Sequence, residues 1–380
     1  MSCLLKRNGW EAGQLNAGAR AYDLAGVKTG LADEAVSRLR NVLVKTFALN
    51  ARAKPVTDLS FFAGLVDVGL PEYIAICTDG VGSKVLIAQM LNKYDTVGID
   101  CVAMNVNDVI CVGATPISLV DYLAVEEADP AFIEEIAKGL SEGARLSRVS
   151  ISGGETAQVA EIIRGVRPKR GFDLAATCIG LVHKDNVIVG KDVQPGDAIL
   201  SLSSSGLHSN GYSLVRRIVF EHKGFDVQTY SKELQKTIGE ELLAPTHIYV
   251  PEVLEMLEEK LPVKALINIT GDGLLNLNRI AASNVGFEIN ALPEPQPIFS
   301  LLQEWGDLPD EEMFRVFNMG MGFCLIVPDD ADVTARIREI ALKHGVACSK
   351  IGTIIEDEAK RVFILQKGLV QNGLFFTRRA

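Results

Sequence analysis

An apolar run, Tyr73-Ile74-Ala75-Ile76-Cys77, has the length and β-branched content of a buried strand, and Val85-Leu86-Ile87-Ala88-Gln89-Met90 reads as the start of a helix. Between them lies Thr78-Asp79-Gly80-Val81-Gly82-Ser83-Lys84. A carboxylate, two glycines, a hydroxyl and an ammonium at a strand-to-helix junction commit the surrounding chain to an α/β arrangement. Gly80 and Gly82 let backbone N–H groups approach an anion closely. Lys84 offers a point charge for a phosphate, and Asp79 a ligand for a hard cation bridging it. The spacing of a Walker A loop is absent. Taken alone, the same residues also make a tight turn with a capping Asp.

The second helix expected after this loop, Gly98 to Ile110, is apolar nearly all round and is therefore predicted to be buried. It carries Asp100, Asn105, Asn107 and Asp108. Buried carboxylates need partners, a metal being the simplest. Capping and internal hydrogen bonds are the other explanation, and they suit Asp100 and Asn105 better than Asn107 and Asp108.

Further along, Leu119 to Val125 reads as a strand, and Pro130 to Leu146 as an amphipathic helix with proline at its first position. Val149 to Ala157 reads as a short strand running into a Gly153-Gly154 turn that carries Glu155. The cluster Arg164, Arg167, Lys169 and Arg170 is either a solvated loop or an anion-gripping lid. Phe172 to Val182 is a closing strand. Before all of these, Leu31 to Leu39 is a helical stretch and Ser60 to Leu65 an apolar, glycine-containing loop.

Composition turns polar around Gly190 to Gly196, which sets two domains, 1–190 and 191–380. The second begins with strand Ala198 to Leu202. It continues through Ser203-Ser204-Ser205-Gly206-Leu207-His208-Ser209-Asn210-Gly211-Tyr212-Ser213 into a helix over Leu214 to Phe220. Hydroxyls and glycines ahead of a helix suit an anion site, and equally an N-cap. Strands are also expected over Leu266 to Ile269, Cys324 to Val327, Ile351 to Ile354 and Arg361 to Leu365, with a helix over 333–344.

A net charge of −10 argues against nucleic-acid binding through a broad basic surface. No run approaches about 18 uninterrupted apolar residues, so no membrane span is expected. Met1 to Arg7 lacks the apolar region of a secretory signal. Seven cysteines without a C-x-x-C pair suggest a reducing cytoplasm.

Several segments, in this order and spacing, resemble the phosphoribosylformylglycinamidine cyclo-ligase (aminoimidazole ribonucleotide synthetase) family: Thr78 to Lys84, Asp95 to Asp108, Gly153 to Ala157, Ser204 to Arg216, Ala244 to Val250 and Met313 to Gly320. The resemblance implies two α/β (α+β) domains with mixed sheets. The first would bind nucleotide and metal and dimerise, and the second would hold substrate. It implies ATP-dependent ring closure of phosphoribosylformylglycinamidine in purine synthesis, with ATP and Mg²⁺, K⁺ as an open addition, and a cytoplasmic homodimer with nucleotide near the subunit interface. Carried over, Asp79 and Asp108 are metal and phosphate ligands. Asp79, Lys84, Asp108 and His208 are the catalytic set. Thr78, Gly80, Gly82, Ser83, Asn107 and Glu155 serve the nucleotide, and Ser204, Ser205, Gly206, Ser209 and Asn210 face substrate.

Two departures stand out. Asn268 occupies a position where the family pattern has His, before the turn Thr270-Gly271-Asp272-Gly273. After Ala157 the usual Glu-Met-Pro-Gly stretch is replaced by Gln158 to Arg164. Asn268 cannot carry a proton near neutral pH. The alternatives are a same-fold, kinase-like enzyme with a changed substrate, such as a thiamine-monophosphate kinase, or a non-catalytic nucleotide-binding scaffold. Selenophosphate synthetase requires a glycine-rich segment near a reactive Cys, which the stretch after Cys3 lacks.

Overall fold

The computed structural model describes Ala25 and residues 29–379. Cys3 and the Met1–Arg7 stretch lie outside the described residues. Helix α1 (Thr29–Leu43) leads into strands β1 (Lys54–Pro55), β2 (Gly64–Asp67) and β3 (Glu72–Gly80). Ser60 to Leu65, expected as a loop, therefore ends in a strand: Gly64 and Leu65 pair with Ile76 and Ala75. Helices α2 (Val85–Leu91) and α3 (Val97–Ile110), strand β4 (Thr115–Val125), helix α4 (Pro130–Ser147) and strands β5 (Ser150–Gln158) and β6 (Phe172–His183) complete the first unit. Its six strands run in the order β1-β2-β3-β6-β4-β5.

Helix α4 starts where the sequence says it should. Asp129 accepts a hydrogen bond from the Phe132 N–H, and Pro130 fills the first turn. It lies unusually close to α3, because the contact is made by glycines. A Cβ on Gly98 would sit 2.1 Å from the Leu140 nitrogen, and one on Gly139 would sit 2.4 Å from the Asp95 carbonyl oxygen. That contact presses α3 onto the sheet, and α3 is buried almost throughout, as its all-round apolarity requires.

One sheet face packs under these helices through Ala75, Cys77, Leu119, Leu123, Leu174 and Cys178. The opposite face is open and apolar: Ile76, Val120, Tyr122, Ile179 and Leu181 are 36–47% exposed.

The second unit opens with β7 (Ala198–Ser203), α5 (Tyr212–Arg216) and a π-helical turn, Arg217–His222, so the helix expected over Leu214 to Phe220 changes winding midway. A small hairpin, β8 (Tyr230–Ser231) and β9 (Lys236–Thr237), precedes α6 (Ile238–Leu242) and α7 (Val250–Glu258). Then follow β10 (Ala265–Asn268), β11 (Val285–Ile289), α8 (Pro297–Gly306), α9 (Asp310–Val316), β12 (Met321–Val327), α10 (Ala331–Lys343), β13 (Cys348–Glu356) and β14 (Val362–Ile364). A C-terminal hairpin, β15 (Leu369–Asn372) and β16 (Phe375–Arg378), closes an eight-stranded sheet ordered β10-β12-β7-β13-β11-β14-β15-β16. Its strands β7 and β12 are almost fully buried, β12 without a polar side chain and β7 with only Ser201 and Ser203, as strands covered on both faces should be. Among the described residues no helix is long and apolar enough to cross a membrane, and the described cysteines are free thiols.

Candidate active site

Two elements expected as turns are strands. β3 continues through Thr78, Asp79 and Gly80 to pair with Thr177, Ala176 and Ala175, and β5 carries Gly153, Gly154 and Glu155 alongside Val120, Asp121 and Tyr122. The chain leaves β3 only at Val81, turning at Gly82 with φ +67° into a short 3-10 segment, Gly82–Lys84. Period-2 alternation then sorts the side chains. Asp79 shares the helix-covered face with Ala75 and Cys77. Thr78 points to the open face, where its hydroxyl donates to the Ala176 carbonyl (2.8 Å).

Asp79 is held from above by α3. Its N–H donates to Asn105 Oδ1 (3.1 Å), and Asn105 Nδ2 donates back to the Asp79 carbonyl (3.1 Å). Asp79 Oδ1 accepts from the Gly80 N–H (2.7 Å). One turn beyond Asn105, Asp108 reaches the other domain, where Oδ1 accepts from Asn268 Nδ2 at 2.9 Å. Burial pushes the Asp79 carboxyl up. Burial, reinforced by the negative charge of Asp79, pushes Asp108 up to about 7, against the Asn268 hydrogen bond and the charge of Arg279. Arg279 caps this acid pair while lying over the Phe62 ring (5.1 Å) and 3.7 Å from Asp272.

Two carboxyls that burial holds up, one of them raised further by the charge of the other, are short of positive charge. That fits Mg²⁺, which is held by one or two carboxylates plus substrate phosphates and does not need an all-protein cage. Among the described residues no larger His/Cys/Asp/Glu group gathers.

The serine loop lies across the domain junction, against the segment that follows Asp79 and the first turn of α3. Ser204 donates to Asn318 Oδ1 (3.1 Å), and Asn318 Nδ2 donates to the Gly206 carbonyl (2.9 Å). Ser205 Oγ donates to the Pro245 carbonyl (2.6 Å). Asn210 approaches Gly271, where a Cβ would lie 3.4 Å from its Oδ1, and Ser213 Oγ lies 3.4 Å from Ser83 Oγ. Asn210 therefore meets the Thr270–Gly273 turn, and Ser213 meets Ser83 at the seam between the domains.

Five residues are placed otherwise than expected, the first being Thr78, whose side chain lies on the open face opposite to that of Asp79. Lys84 is not free for a phosphate: its side chain is wholly buried, with Asp100 at 2.8 Å and two backbone carbonyls as further acceptors. His208, at φ +60° and buried, accepts the Ser205 N–H on Nε2 (3.3 Å). Burial lowers its pKa to about 3, aided by His247 and Lys84, so it stays neutral and cannot shuttle protons near neutrality. Asn107 has its amide spent across the junction, donating to the His247 carbonyl (2.9 Å) and accepting from the Tyr249 N–H (2.9 Å). Glu155 sits on the open sheet face beside Tyr122. It is three strand spacings, roughly 14 Å, from the strand of Asp79, so one chain does not bring it to the acid pair.

Of the basic loop, Arg164, Lys169 and Arg170 pair with Glu126, Glu127 and Asp129, which accounts for their charge. Arg279 carries no motif that flags it, and although Asn268 stands out as a departure from the family pattern, its bond to Asp108 is not foreseen from the sequence. Nor is Asp121, whose register partner Ala176 is likewise the partner of Asp79.

Two mixed α/β units with paired carboxylates at their junction define the class of AIR synthase-like proteins. Residues 62–182 match the model described as AIR synthase related protein, N-terminal domain, and residues 194–364 that of its C-terminal domain. Phosphoribosylformylglycinamidine cyclo-ligase of Methanobrevibacter smithii is 46% identical over 337 residues, covering 89% of this chain and 95% of the relative. That of Methanothermobacter thermautotrophicus is 48% identical over 312 residues, covering 82% and 89%. Among solved structures, AaThiL complexed with AMPPCP and TMP superposes with a TM-score of 0.57 at 15% identity, covering 84% of this chain and 91% of that one. The thiamine-monophosphate kinase of Stenotrophomonas maltophilia K279a gives 0.57 at 19%, covering 84% and 95%. At such identities these two structures speak for the fold alone. The chain belongs to the phosphoribosylformylglycinamidine cyclo-ligase family.

Proposed function

We propose that this chain closes the imidazole ring of aminoimidazole ribonucleotide from phosphoribosylformylglycinamidine, using ATP and releasing ADP and phosphate. The observation that carries the reading is the pairing of Asp79 with Asp108 at a domain junction whose other side is the serine loop. In this reaction the formyl oxygen is phosphorylated, an amidine-side nitrogen attacks the same carbon, and phosphate leaves. The protein needs no nucleophile of its own for that. It needs two anionic reactants held together and their charge offset.

Asp79 and Asp108 would hold Mg²⁺, which neutralises charge on the transferring phosphoryl group. Asn268 orients Asp108 as a neutral donor, so the departure from His removes a proton carrier but keeps the hydrogen bond. Gly80, Gly82 and Ser83 present backbone and hydroxyl to the phosphates. Arg279 offsets the anionic charge at the mouth. Ser204, Ser205, Gly206, Ser209 and Asn210 belong to the substrate side, through Asn210 and the loop backbone more than through the serine hydroxyls, several of which are already engaged. The domains divide at 190/191, with nucleotide and metal in the first and substrate in the second.

The open sheet face supports a homodimer: five large, partly exposed residues side by side on one face form the kind of contiguous apolar patch that marks an interaction surface. A second copy there would bring Glu155 to a subunit interface. The enzyme is assigned to the cytoplasm, with a small-molecule substrate and no nucleic-acid or membrane partner.

The test is to mix purified protein with ATP, Mg²⁺, K⁺ and phosphoribosylformylglycinamidine and follow ADP and the imidazole product together. Stoichiometric appearance is expected. ADP without imidazole would move the kinase-like reading to the front, and neither product would favour a scaffold.

A further inference from the structure

The loop that leads from Asp79 ends in a cation that touches no solvent. Lys84 and Asp100 both have fully buried side chains, 2.8 Å apart. Neither serves only the other. The Lys84 ammonium also donates to the His208 carbonyl (3.0 Å) and the Ala244 carbonyl (2.6 Å). Asp100 Oδ1 also accepts from Ser209 Oγ (3.2 Å), the Thr246 N–H (2.7 Å) and Thr246 Oγ1 (2.7 Å). Every one of these further partners lies in the second domain, either in the serine loop or in the Ala244–Thr246 turn. The two charged groups lie in the first domain, at the foot of α2 and in the first turn of α3.

A buried ion pair is a poor source of stability, since its desolvation offsets much of its attraction and apolar replacements do as well or better. What it supplies is direction. An ammonium and a carboxylate oxygen, each with several fixed partners, define one arrangement of the groups around them, and an apolar contact defines many. Lys84 directly follows the Gly80–Ser83 loop, and Asp100 lies on the same helix as Asp108. The serine loop is thus referenced to the segment that follows Asp79 and to the helix that carries Asp108.

We propose that Lys84 and Asp100 are positioning residues that fix the serine loop, and with it the substrate, at the distance from the acid pair that phosphoryl transfer requires. Lys84 acts on the substrate side of the junction and does not bind the nucleotide phosphates. The activity part of this inference rests on the cyclo-ligase reading above.

The informative comparison is Lys84→Met against Lys84→Met/Asp100→Asn. The single variant leaves a carboxylate buried without its cation and is expected to lose stability. The double variant is free of charge, keeps an oxygen for Thr246, and is expected to regain most of the wild-type melting temperature. Stability alone would restore activity if the pair were only structural. The positioning role instead predicts a kcat still down on the order of a hundredfold, the cost of an ångström-scale misplacement. It also predicts ADP affinity by calorimetry within about threefold of wild type, because uniform binding is untouched, and faster amide hydrogen exchange over residues 204–213.

Wild-type kcat and loop exchange in the double variant would overturn the proposal. So would loss of ADP affinity with unchanged loop exchange, which would return Lys84 to the nucleotide. If the double variant does not fold, Thr246→Val removes one donor to Asp100 and leaves the ion pair. It should show the same faster exchange with a smaller loss of kcat, and unchanged exchange with unchanged kcat would again refute the role. If the wild type forms no imidazole, the reaction assignment fails by itself, and the exchange measurements still decide whether the pair holds the loop.

Discussion

His208 gives a prediction whose size can be worked out. Its ring is buried, accepts a hydrogen bond from the Ser205 N–H, and has its pKa lowered to about 3. In the unfolded chain it titrates near 6.5. Between those values the unfolded state binds a proton that the folded state refuses, so stability falls as pH drops below about 6.5 and goes on falling toward about 3. The loss from this one group is about 0.2 kcal/mol at pH 7 and about 2 kcal/mol at pH 5. Asn is the right replacement, because it tolerates the left-handed backbone at φ +60° and keeps a side-chain acceptor without a titrating ring. Urea unfolding of wild type and His208→Asn at pH 7 and pH 5 isolates the term, since the other histidines and the carboxylates are common to both proteins. Wild type should lose about 2 kcal/mol more than the variant between the two pH values. Equal losses would mean that His208 is protonated in the folded protein, and its reopened role as an acid would have to be considered. The same variant should retain most of its kcat if the ring is structural.

Other outcomes are expected. Asp79→Asn should lower kcat by about 10²–10³, the scale of removing one preorganised electrostatic group. It should also raise the melting temperature of the metal-free protein, because it relieves repulsion with Asp108; near-normal kcat would refute a metal role for Asp79. Gly139→Ala should destabilise by about 1–3 kcal/mol or more, because its Cβ would meet the Asp95 carbonyl at 2.4 Å, and denaturant titration checks it. Val120→Arg on the open sheet face should give monomers by sedimentation, and an unchanged mass would remove that face as the dimer surface. Arg279→Ala should raise the KM for ATP or substrate, and unchanged steady-state constants would make Arg279 a structural partner of Asp272.

The sequence was most readable where burial is total. β7, β12 and α3 carry so much apolar material that their type and depth follow from composition along the segment. It was least readable where polar residues sit in regular structure. Thr78-Asp79-Gly80 and Gly153-Gly154-Glu155 look like turns, and they lie in strands because the open face takes Thr78 and Gly80, the edge strand takes the glycines and Glu155, and Asn105 secures Asp79 on the covered face. The acid pair Asp79–Asp108 was legible through motif resemblance. The fate of Lys84 was not, because a charge at the end of a glycine loop says nothing of an aspartate one helix later or of carbonyls in the second domain. Asn107 and Asp108 show the same limit. They are adjacent in sequence and both polar, yet one secures the Tyr249 backbone and the other faces the acid site, a difference set by 100° of helical rotation.

Helix α3 behaves as a lever. Asp100, Asn105, Asn107 and Asp108 are all mounted on it, and its near end is pinned against α4 by Gly98 and Gly139. From Asp100 to Asp108 is about 12 Å along the axis, so a tilt of about 5° at the pinned end swings the far carboxylate by about 1 Å. Displacements of that size are enough to cost about a hundredfold in rate. Substitutions at the glycine seam, remote from any reacting atom, should therefore appear in kinetic data as if they were active-site lesions. A survey of damaging variants in this chain would find them gathered along the fulcrum as well as around the acid pair.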